Sequence, residues 1–209
     1  MRAVIAVSLV VLGVATMGCG KKPEGGGGTG TATAAAPLAP VPHLTFPGTP
    51  EGAKQAASEF LKPNVNLINI ARALRPDPAD YTSVFVGDAG PKVQKFFDPA
   101  WDRGQLAIKV IPGQTELIIN GVTVEELKTG AGKSAACPAA WKDITDQLNP
   151  SITVYCFKFV KPGETLGMTY DGLIFVNGHW AMFPKPFKAL RPAPAAGGTT
   201  GGTTGGTGP

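Results

Sequence analysis

Two histidines, His43 and His179, and three cysteines, Cys19, Cys137 and Cys156, are present in the 209-residue chain. The side chains able to run nucleophilic or metal chemistry can therefore be weighed one by one. Covalent hydrolysis needs a serine or cysteine, a histidine and an orienting acid brought together, and no serine here lies in a G-x-S-x-G elbow. His43 sits at the edge of a Gly/Ala/Pro-rich stretch. His179 directly follows Asn177-Gly178, a hairpin-tip position that favours a solvated ring over a general base. A zinc centre calls for three or four ligands, and no set of close spacings supplies them. The acids Asp77 and Asp80, Asp98 and Asp102, Glu125 and Glu126, and Asp143 and Asp146 pair up on segments of helical periodicity, where capping and solvation account for them. Glycoside hydrolysis would need two acids about 5 to 10 Å apart across a sugar-sized cleft, a separation that sequence does not fix. Gly130-Ala-Gly132-Lys133-Ser134 ends like a phosphate-binding loop, but Leu127 stands where that pattern needs glycine, and no strand precedes it. No catalytic, cofactor-binding or metal-binding residue is assigned, and the balance leans away from an enzyme. The side chains left as pocket candidates are Trp101, Trp141, Tyr170, His179 and Trp180, although a domain of this size also needs such volume for its core.

Cys137 and Cys156 are nineteen positions apart, one before a helical segment and one within a strand segment. A bridge between them would staple helix to sheet and, for a loop of this length, contribute roughly 3 kcal/mol in the chain-entropy model. A metal or redox pair is the alternative, against which stands the lack of any C-x-x-C; two unpaired buried thiols is another. With a bridge formed, Cys19 is the odd cysteine.

Arg2 precedes a weakly polar or apolar run, Ala3 to Met17. That run is too short for the roughly 20 residues a membrane-crossing helix requires, and it reads as the hydrophobic part of a signal peptide. The stretch ATMGC, with Gly18 before Cys19, resembles the lipobox of bacterial lipoproteins. That family prefers leucine and a small residue at the places held here by Thr16 and Met17. The resemblance implies a signal peptide over 1–18 and a mature chain beginning at an acylated, palmitate-bearing Cys19. It also implies a lipid bilayer as partner and a cell-envelope location. Gly20 is not the aspartate associated with inner-membrane retention, which favours the outer membrane and leaves its face open. The other reading is cleavage after Gly13-Val14-Ala15, with Cys19 a free thiol.

Residues 19–43 carry GGGGTGTATAAAPLAPVP and read as a lipidated N-terminus and flexible linker, and residues 192–209 repeat Gly-Gly-Thr-Thr without a hydrophobe and read as a disordered tail. Neither can bury enough apolar area to offset the entropy of ordering. Residues 44–191, about 150 in number, can form one real core. The net charge of +4 is small and charged residues make up only 16% of the chain, so no nucleic-acid footprint is present. An envelope polymer or another protein is the partner class left.

Within 44–191, Thr49-Pro50-Glu51 gives an N-cap, a proline at the first helical position and an acid in the first turn. Ala53, Ala56, Ala57 and Phe60 follow at helical spacing. Pro63 restarts the chain into a second stripe ending before Pro76, and Asp77-Pro78 opens a third helix. Pro91 opens a fourth segment, which Pro99 should end near Phe97. The period then changes. Leu106 to Val110 and Glu116 to Asn120 read as strands. Asn120-Gly121 has the residues of a hairpin turn. Thr123 with Glu126 is also a capping box for a short helix that Gly130 closes, and the helix is the favoured reading. Pro138 to Leu148 reads as a helix and Ile152 to Val160 as a strand apolar on both faces. Leu173 to Phe183, interrupted by Asn177-Gly178, is a hairpin pairing Val176 with His179 and Phe175 with Trp180.

The expected fold is α+β: N-terminal helices packed on a mostly antiparallel, curved sheet ending in a β-hairpin. This order, with Gly178-His179-Trp180 near its end, resembles the cystatin-like group that includes nuclear-transport-factor-like domains. That resemblance implies a ligand cavity between sheet and helix. Two functions are compatible with these features: a membrane-anchored, non-catalytic binding or scaffolding domain, or a small-ligand-binding or hydrolytic domain of the cystatin-like type.

Overall fold

The first three helices each open on a cap. In the computed structural model, which describes residues 41–191 apart from Ala107, the Thr49 hydroxyl accepts the Gly52 amide and opens α1, Pro50–Ser58. A short 3-10 turn, Glu59–Leu61, ends it. The Asn66 side chain accepts the amides of Ile68 and Asn69 at the head of α2, Leu67–Ala73. Pro78 begins α3, Pro78–Val84, where Asp80 reaches back to the Asp77 amide at 2.6 Å.

The helix α4 runs from Ala89 to Asp102 and carries Pro99 in its interior, so proline does not end it near Phe97. Proline removes one ladder bond there, but continuing the helix seats Trp101 beside Phe97 and Val93, all buried. It also brings Asp98 and Asp102 to Arg75, at 3.4 and 2.8 Å.

Among the described residues of 106–110, Leu106 and Ile108 to Val110, the expected strand is absent. The Lys109 backbone finds both its partners in one side chain, donating its amide to the Tyr170 hydroxyl and accepting that hydroxyl's proton at its carbonyl. A residue satisfied in this way has no group left for a ladder.

β1, Glu116–Thr123, runs straight through Asn120-Gly121, and α5, Val124–Thr129, follows it to a left-handed Gly130. The next helical segment, Ala139–Gln147, is a 3-10 helix with Trp141 and Ile144 buried. β2, Thr153–Val160, β3, Thr169–Val176, and β4, His179–Met182, complete a four-stranded antiparallel sheet in the order β1-β2-β3-β4. A short helix α6, Phe187–Leu190, ends the described fold. The architecture is α+β.

Two backbone details aim the buried polar side chains. Asn177 and Gly178 adopt φ of +48° and +87°, the left-handed pair a two-residue hairpin turn needs, and the register is Val176 opposite His179 and Phe175 opposite Trp180. In β3 the pairing with β2 skips one residue, from Leu173 to Tyr170 against Tyr155 to Phe157. Gly172 at φ +87° sits at that bulge, where an added Cβ would lie 2.0 Å from the Phe183 carbonyl oxygen.

The interior is filled with rings: Trp141, Trp180, Tyr81, Phe85, Phe157, Phe159 and Phe183 are all fully buried. Edge-on contacts dominate, as between Tyr155 and Trp180 at 5.4 Å and between Tyr81 and Phe183 at 5.4 Å, the arrangement that ring quadrupoles favour. The outer edge of β4 is occupied. The Trp180 amide donates to the Leu44 carbonyl and the Met182 amide to the Leu74 carbonyl.

Candidate functional site

The expected pocket residues do not converge. Trp101 and Tyr170 share an apolar pocket of about 140 Å³ with Leu74, Leu106, Ile108 and Met182. Trp141 is enclosed elsewhere and donates its indole N–H to Asp171 at 2.9 Å. Trp180 donates its own to the Phe46 carbonyl at 3.0 Å. Cys137 and Cys156 form a disulfide with Cα atoms 5.4 Å apart, tying the segment ahead of the 3-10 helix to the central strand β2. Cys19 lies outside the described residues.

His179 is where expectation and structure part most. Its position beside the hairpin turn suggests a solvated ring, yet only 7% of the residue is exposed. The reason is the neighbouring helix. Asp80, on the third residue of α3, is fully buried against the hairpin, and its Oδ2 lies 3.0 Å from His179 Nε2. Oδ1 accepts the Asn177 side-chain amide at 2.8 Å. With the Asp77 amide also on Oδ2, the carboxylate has three partners from two elements and a turn. An acid that reads as a solvated capper is thus the hub of a buried network. Because an ionised carboxylate only accepts, it places the His179 proton on Nε2 and leaves Nδ1 as the ring's lone-pair nitrogen.

His43 belongs to this group and not to the linker. Leu44 bridges to Trp180 in antiparallel fashion, so alternation puts His43 and His179 on one face as diagonal neighbours. Their rings stack with centroids 4.1 Å apart and planes inclined by 24°. His43 Nδ1 lies 3.2 Å from the Ala73 carbonyl oxygen, and Nε2 lies 3.2 Å from Asp77 Oδ2. Both of its nitrogens therefore face acceptors. A neutral imidazole has a single N–H and satisfies one of the two. The second contact demands either an added proton or a cation held between ring and carboxylate.

Of these residues His43 and Asp77 line one wall of an open cleft of about 530 Å³, whose other lining includes Arg75, Gln94, Asp98 and Trp101. On the cleft wall the Trp101 indole N–H is buried beside the Tyr81 hydroxyl. Burial, then the Asp98 charge, holds the Tyr81 phenol well above its usual range, so it remains a donor.

The described residues lining the cleft include an imidazole and carboxylates, His43, Asp77 and Asp98. Among the described residues, no serine, threonine or cysteine is hydrogen-bonded to either imidazole; both rings face carboxylates or backbone. The Gly130–Ser134 segment is a loop followed by a 3-10 turn, Ser134–Ala136, where Glu126 accepts the Lys133 amide. Sequence reasoning passes over His43, Asp77, Asp80 and Asn177 as a group because the site's members are scattered between positions 43 and 179. The available signal is the hairpin itself, which aims residue 179 at whatever packs beside it. Comparison with protein-family models, with curated proteins and with solved structures finds no match for the chain.

Proposed function

We propose that this is a membrane-anchored extracytoplasmic lipoprotein whose folded domain is a non-catalytic binding module, with the His43 cleft as its recognition surface. The observation that carries the anchor is the Cys137–Cys156 disulfide. It takes two of the three cysteines, suits an oxidising compartment, and leaves Cys19 as the odd thiol for which acylation gives a use. Among the described residues no helix is long and apolar enough to cross a membrane, so the lipid would be the attachment. An acyl chain gains about 0.8 kcal/mol per buried methylene, and more than one chain is needed for a stable hold. The filled aromatic core supports binding at an open surface over a cavity between sheet and helices.

Intact-mass measurement of the mature protein tests the anchor. The expected species begins at Cys19 and carries acyl chains. An unmodified chain beginning at Thr16 would overturn it.

A further inference from the structure

We propose that His43, Asp77 and His179 form a site for a divalent transition-metal ion of the zinc type, opening onto the cleft. The inference rests on the cleft as the binding surface of the domain and holds whether or not Cys19 is acylated. One ligand atom from each of the three residues lies within 4.8 Å of the other two. Ligands around a tetrahedral zinc at 2.0–2.1 Å are roughly 3.3 Å apart, and His43 Nε2 and Asp77 Oδ2 already stand at 3.2 Å.

The hydrogen-bond arithmetic points the same way. The Ala73 carbonyl fixes the proton of a neutral His43 on Nδ1, so Nε2 turns a lone pair toward a carboxylate that also has only lone pairs to offer. A cation between them converts a repulsion into two coordination bonds. His179 is prepared in the manner of a metal-ligating histidine: Asp80 holds its Nε2–H, the carboxylate–histidine pairing that orients a ring and raises its basicity toward a metal. The nitrogen left over is the lone-pair donor. The three ligand atoms, within 4.8 Å of one another, have to close to roughly 3.3 Å around the ion. Asp77 is well exposed, with 59% of its side chain open to solvent, which gives the ion a path from the cleft. Three protein ligands leave a fourth position for water or for a donor atom of a bound partner. Two imidazoles and one carboxylate are the ligand types that zinc, copper and nickel take over magnesium or calcium.

The test is titration of the metal-free mature chain with Zn²⁺ by calorimetry, with Co²⁺ as an optical probe of coordination. Expected are one ion per chain and the visible bands of a four-coordinate cobalt site. His43→Ala and Asp77→Asn should each weaken binding about tenfold or more, and Asp80→Asn, which disturbs the orienting bond to His179 together with those to Asn177 and the Asp77 amide, by about tenfold. Circular dichroism verifies folding; should His43→Ala fail to fold, Asp77→Asn, altered at an exposed carboxylate, carries the test alone. Absence of saturable binding, or affinity unchanged in the Asp77 variant, would discard the metal site. Neither result depends on the N-terminal mass, so failure of the anchor and failure of the metal site read out separately.

Discussion

Two carboxylates are buried in this domain, and they are buried for different ends. Asp171 is 2% exposed and Asp80 fully enclosed, yet their partners differ in kind. Asp171 is turned inward by the Gly172 bulge and accepts two neutral donors on one oxygen, the Trp141 indole and the Lys185 amide. Those bonds lock β3, the 3-10 helix and the segment after β4 to one another. Asp80 instead holds an imidazole, and that imidazole stacks on a second one reaching a cleft. A buried acid contributes to a site when one of its partners has another face to offer. Trp141 has none; His179 does.

The contrast between the two acids is tested most severely at Asp80. Asp80→Ala strips the partner from one buried donor, His179, and from two part-buried ones, Asn177 and the Asp77 amide, at roughly 1–3 kcal/mol for each donor left unpaired. Urea denaturation should register a loss of that size. Asp171→Ala strips the partner from one buried donor, the Trp141 indole, and one part-buried donor, the Lys185 amide, at the same roughly 1–3 kcal/mol each, and with one donor fewer should fall below the Asp80 variant; equal losses would erase the distinction drawn between them.

The smallest effect is the most diagnostic. Burial raises the Asp171 carboxyl above its usual 3.8, against the pull of the Lys185 amide and the Trp141 indole. The native state therefore keeps this proton to higher pH than the unfolded chain does, so stability falls as pH rises from that usual value through the folded one. Asp171→Asn retains an oxygen for both donors and removes the titration. Urea midpoints across that window should decline less steeply with pH in the variant than in the wild type. Parallel profiles would show that Asp171 contributes no linkage.

How much of the fold is legible in the sequence depends on the range of each interaction. The caps at Thr49 and Thr123, the start at Asp77-Pro78 and the Asn177-Gly178 hairpin with its register depend on neighbours a few residues away, and they can be read directly. Pro99 misleads because local propensity argues for a break, while the burial of Trp101 beyond it is a tertiary gain. Leu106 to Val110 has a strand's alternation, but the partner for its Lys109 backbone is a tyrosine hydroxyl sixty-one positions later. Gly172, a glycine inside a strand, signals a bulge or close approach, although nothing local says that the bulge would bury Asp171. The site itself is least legible. Its residues come from positions 43, 77, 80, 177 and 179, and only packing α3 and the Leu44 edge against the hairpin makes them neighbours.

That edge has a mechanical side. The chain enters the fold by laying Leu44 alongside Trp180, one residue after His43. A pull applied from the N-terminal side is borne first by that single bridge and by the Trp180 indole bond to Phe46, well before it reaches the aromatic core. The same edge carries His43, so the stacked pair of histidines joins the entering segment of the chain to β4.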